Sequence, residues 1–88
     1  MSLDDEVSDG DSLRKEFEGL IQKHGPIESH SFSMLLRMII RYEANRTFVE
    51  VRKNRIKEEY KADATAYMQE LDIILDKLYT QIDTFFTD

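Results

Sequence analysis

From Ile27 to Asp88 the chain runs 62 residues without a glycine or a proline. Those two residues interrupt helices most strongly, so the stretch predicts helix nearly throughout. Within it Tyr60, Ala64, Tyr67, Leu71, Ile74, Leu78, Gln81 and Phe85 alternate steps of four and three. All but Gln81 are apolar or small, the spacing of a seam that packs against another helix. The chain is therefore expected to be all-α, with helix-on-helix contact as its main business.

Eighty-eight residues make one small domain. A chain of this size buries only about 60 to 65% of its unfolded surface, which leaves a thin core that oligomerisation commonly supplements. Gly25-Pro26 ends a first helix over 12–24, because glycine supplies a left-handed cap and proline cannot continue the helix. Gly19 either weakens that helix or permits a close approach by another. Ser29 or Ser31 caps a second helix over 31–44. That helix is rich in apolar residues on more than one face and so is expected to be the central element. Thr47 with Glu50 three residues later matches a capping box, placing a third helix over 47–86. The small residues near 62–65 mark a possible second break.

The expectation is a bundle of three helices, or four if the last one breaks, after a flexible acidic leader over residues 1–11. Helices of about 20 and 21 Å would then leave part of a third, about 60 Å long, uncovered. A second copy covering that overhang makes a homodimer the expected assembly. Its interaction face would be Tyr67, Leu71, Ile74, Leu78 and Phe85, as in a coiled coil or bundle.

Charge is the second informative feature. The whole chain is net −6, yet residues 41–61 carry seven bases against four acids. Arg46, Lys53, Lys57 and Lys61 fall on one broad side of a continuous helix, so this basic band is expected to orient a partner. The alternative use of such a band is nucleic acid, as in a small helical regulatory protein. Interspersed Glu50, Glu58 and Glu59 and the net negative charge argue against it, since nucleic-acid modules usually carry excess positive charge.

No catalytic, cofactor-binding or metal-binding constellation emerges. His24 precedes the Gly-Pro stop, where a cation favours a helix carboxyl end. His30 sits in a turn without the flanking residues of a phosphotransfer helix. The histidines match neither a zinc spacing nor the Glu-x-x-His pairs of a di-metal bundle. No nucleophile has an assignable base, and there is no glycine-rich phosphate loop. The expectation is a protein that is not an enzyme and needs no cofactor. The absence of cysteine suits a reducing compartment. With no basic amino-terminal region and no apolar run of about 18 residues, the expected location is intracellular, cytoplasmic or nuclear, without a membrane span.

Overall fold

The last helix, Lys61–Ile82, organises the molecule, because both other helices pack on it. In the computed structural model, which describes residues 9–87, the chain is a three-helix bundle. We label Asp9–His24 α1, Phe32–Glu50 α2 and Lys61–Ile82 α3. α1 runs parallel to α3: Gly10 lies on Ala66, Arg14 pairs with Glu70, and Ile21 shares a groove with Lys77. α2 runs antiparallel to both, with Arg46 reaching Asp72 at one end and Phe32 reaching Phe85 at the other.

The first turn between helices forms as expected. Gly25 adopts φ 91°, and its N–H donates to the Ile21 carbonyl at 2.7 Å. Only glycine enters that region without penalty, so the chain reverses there. Ser31 then caps α2, its Oγ accepting from Met34 N at 3.2 Å. α1 begins at Asp9 rather than at Ser12, so residues 9–11 of the expected leader are its first turn. The rest of that leader, 1–8, lies outside the described residues.

The break after α2 falls elsewhere than expected. α2 continues through Asn45 and Thr47 to Glu50, and no capping box forms: the Thr47 carbonyl accepts from Val51 N as in any helix turn. The interruption is Val51–Tyr60, two short 3-10 turns separated by extended Ile56 and Lys57. A helix continuing through this stretch would stack Arg52 on Arg55 and Lys53 on Lys57, and like charges at those spacings destabilise it. Turning back also lets α3 bury its apolar stripe within the chain. The helix then runs unbroken through 62–65. At 22 residues, or about 33 Å, α3 is about half the expected length, and it outruns α1, of 16 residues or about 24 Å, only at its amino end.

The core is one cluster. Leu13 and Phe17 come from α1, Leu35, Met38, Ile39 and Tyr42 from α2, and Leu71, Ile74, Leu75, Leu78 and Ile82 from α3. Phe17 meets Tyr42 edge to face at 6.1 Å. The central element is therefore α3, not α2, whose other flank remains at the surface.

Candidate interaction surfaces

The expected interaction face divides in two. Leu71, Ile74 and Leu78 are buried inside the chain's own core, which corrects the expectation that they form a free seam. The four–three spacing is satisfied in cis, because α1 and α2 supply the partner helices that a second copy would otherwise provide. Tyr67 is half-buried against the core, and Phe85 is exposed at the far end of α3.

The basic band is also redistributed. Arg46, Lys53, Lys57 and Lys61 do not share a helix face, because Val51–Tyr60 is not helical. Arg46 Nε donates to Asp72 at 2.7 Å, and that hydrogen bond and charge hold its guanidinium above its ordinary value. Lys53 pairs with Glu50 at 2.9 Å, and Lys61 lies 3.8 Å from Glu58. Arg55 and Lys57 have no ion-pair partner among the described residues. The bases instead gather around one end of the bundle, on and beside the turn-back.

At that end a groove of about 520 Å³ opens between α2 and α3. One wall is Asn45, Phe48, Val49 and Arg52, at positions i, i+3, i+4 and i+7 along and just past α2. The opposite wall is Tyr60, Asp63, Ala64 and Tyr67, with the same spacing along the start of α3. Ile56 of the turn-back closes the end. Phe48 and Tyr60 are 59% and 55% exposed. The Arg52 guanidinium lies 3.8 Å above the Phe48 ring and donates to the Phe48 carbonyl at 3.0 Å, so one side chain fixes the other.

The opposite end carries a second surface. Phe32, Leu36 and Ile40 project from α2 one turn apart, and Phe85 and Phe86 pack against Phe32 with ring centroids 5.5 and 5.7 Å away. Ile40 is 66% and Phe86 60% exposed, and Leu36 is exposed as well. Tyr79 continues this ridge on α3, its hydroxyl donating to Glu43. That hydrogen bond holds the Tyr79 phenol above its ordinary value. The apolar excess of α2, which its pattern alone makes central, thus lies in part on this exposed ridge.

The two histidines meet at the first reversal. His30 is 3% exposed; its Nε2 lies 2.9 Å from the Gly25 carbonyl, locking the turn, while Nδ1 is buried without a partner among the described residues. His24 in the last turn of α1 meets the His30 ring edge to face at 6.4 Å. Among the described residues no group of His, Cys, Asp or Glu is placed to hold a metal ion, and no helix is long and apolar enough to cross a membrane. No family model matches the chain, and comparison with curated proteins and with solved structures likewise finds no match.

Proposed function

We propose that the chain is a non-enzymatic protein–protein interaction module that self-associates through the ridge of Phe32, Leu36, Ile40, Tyr79, Phe85 and Phe86. The observation that carries this is the exposure of so many large apolar side chains on one contiguous flank. Their own core neighbours are already fully packed. Contiguous apolar patches of this kind on small domains are typical of interaction sites. Burying one Phe or Ile side chain contributes about 1.5 to 3 kcal/mol, so a few such contacts per protomer support a dimer. The ridge replaces the Leu71–Leu78 seam as the contact surface. The basic end orients the approach, since charge complementarity acts mainly on encounter rate and specificity. A setting inside the cell, in a reducing compartment, goes with this role.

Nucleic-acid binding is supported less well. Three of the four bases expected to form its contact surface are paired with carboxylates, and the chain outside 41–61 is strongly acidic.

Native mass by light scattering at low and high salt tests the proposal. The expected result is twice the monomer mass at micromolar concentration, insensitive to salt, and reduced to monomer by Ile40→Lys with Phe86→Lys. A monomer at every concentration, or a dimer that ignores both substitutions, overturns self-association through the ridge.

A further inference from the structure

We infer that the ridge packs on a second copy of this chain about a two-fold axis, with Arg37 of each protomer meeting Asp83 of the other. The inference rests on the self-association proposed above and assigns its register. Helix positions give the ridge two unlike margins. Arg37 precedes Arg41 by four residues, so it follows the margin of α2 that faces α1, where Arg41 pairs with Glu16. Leu36 and Ile40 precede Glu43 by seven and three, so they follow the margin that faces α3, where Glu43 accepts from Tyr79. On α3, Asp76 and Asp83 stand three before and four after Tyr79 and share its flank. The exposed apolar side chains therefore lie between a basic margin on α2 and an acidic margin on α3.

The margins match in height and are unpaired. Phe32 meets Phe85, which sets the level of the two helices. Arg37 is five residues in from Phe32 and Asp83 two in from Phe85, about 8 and 4 Å along their helices. Both side chains are exposed, and neither has an ion-pair or hydrogen-bond partner among the described residues. α1 begins beside Ala66, at the end of the bundle away from Phe32 and Phe85. Nor does either helix favour its own charge. No acid lies three or four residues from Arg37, whereas Arg41 lies four away and repels it. Asp83 caps the carboxyl end of α3, where the helix dipole disfavours an acid. A contact made in trans accounts for both. In an isologous interface residue i meets j while j meets i, so one opposite pair of margins is satisfied twice. A two-fold axis lying along α2 exchanges left and right across the patch and lays basic margin on acidic margin. An anionic lipid surface would instead be opposed by Asp76 and Asp83.

The test is the dimer dissociation constant of the full chain and its variants, read by sedimentation equilibrium at low salt. Arg37→Glu and Asp83→Arg are each expected to weaken the homodimer at least about tenfold, because each meets a like charge twice per dimer. An equimolar mixture of the two is expected to recover the parent's affinity, since the mixed dimer forms one native and one reversed pair. Lys77→Glu changes net charge as Arg37→Glu does, but beside Phe17 and Ile21, and is expected to leave the dimer unchanged. Arg37→Glu would favour Arg41, and Asp83→Arg suits the helix end, so both variants are expected to fold, as circular dichroism checks. A parent dimer that Ile40→Lys with Phe86→Lys dissociates, but that ignores both reversals, overturns this register and leaves self-association standing. Two weakened variants whose mixture stays monomeric overturn it equally. A parent chain that is monomeric at every concentration overturns both readings, and co-sedimentation with phosphatidylserine vesicles would then assign the ridge to lipid.

Discussion

The trough between α2 and α3 is filled along one stretch and open along another, though apolar residues line both. Where α1 lies in it, Leu35, Tyr42, Leu71 and Leu78 are completely buried. Past the start of α1, Phe48, Ile56 and Tyr60 line a groove with charged residues at its rim. Among the described residues, what separates the core from the open groove is whether α1 lies over the trough. Residue type does not decide it, since aromatic and aliphatic side chains occur on both sides of the boundary.

The largest test of that contrast pairs a substitution from each stretch. Leu71→Ala in the filled stretch removes a fully buried side chain and leaves a cavity, for an expected loss of about 2 to 5 kcal/mol. Phe48→Ala in the open stretch gives up mainly its stacking with Arg52, an exposed cation–π contact worth about 0.5 to 1 kcal/mol. Thermal unfolding separates the two, since 1 kcal/mol moves the midpoint of a domain this small by about 4 to 8 °C. Comparable losses for both would mean that the open stretch is as much core as the filled one.

Beside the open stretch α1 meets α3 at a glycine, and a second glycine on the same helix provides the control. A Cβ added at Gly10 would sit 2.7 Å from the backbone oxygen of Ala66, so the amino end of α1 would have to lift off α3. Nothing lies within 4 Å of a Cβ added at Gly19. Gly10→Ala is therefore expected to cost about 1 to 3 kcal/mol through overpacking, while Gly19→Ala gains up to about 1 kcal/mol from helix propensity. Chemical denaturation of both variants reads the difference in sign. A gain at both positions would show that α1 is not seated tightly where the trough opens.

Much of this was legible before the structure, and the exceptions share one cause. Gly25-Pro26 and Ser31 act through their immediate neighbours, so the first reversal and the second cap could be read from them directly. Leu71, Ile74 and Leu78 announced a buried helix face, but periodicity does not say whether the covering helix belongs to the same chain. The turn-back after Val51 has no glycine or proline to mark it. It arises because folding α3 onto α1 and α2 buries more apolar surface than one long helix could, a non-local gain that overrides local propensity. Gly19 was the candidate for close packing, whereas Gly10 makes the contact; spacing alone could not tell them apart. The stripes Asn45, Phe48, Val49, Arg52 and Tyr60, Asp63, Ala64, Tyr67 were both present in the sequence. Only the turn-back brings them face to face.

The smallest expected effect concerns how dry the filled stretch is. Tyr42 is completely buried, yet its hydroxyl has no hydrogen-bond partner among the described residues. Burial, aided by the charge of Glu16, raises this phenol above its ordinary value of 10.0. A buried hydroxyl without a partner contributes desolvation cost and no bond, so Tyr42→Phe is expected to be neutral or to gain up to about 1 to 2 kcal/mol. The pH dependence has a definite sign. The neutral phenol is the form the fold favours, so its contribution is complete below pH 10 and is lost as pH rises through the elevated folded-state value. The stability of the parent chain against denaturant should thus fall above pH 10, and Tyr42→Phe should remove part of that slope while leaving neutral-pH stability intact. Exposed Tyr79 also titrates there, held up by Glu43, so Tyr79→Phe serves as the comparison. If Tyr42→Phe destabilises at neutral pH, the hydroxyl has a partner such as a bound water. The filled stretch would then be wet, and closer in kind to the open groove than burial suggests.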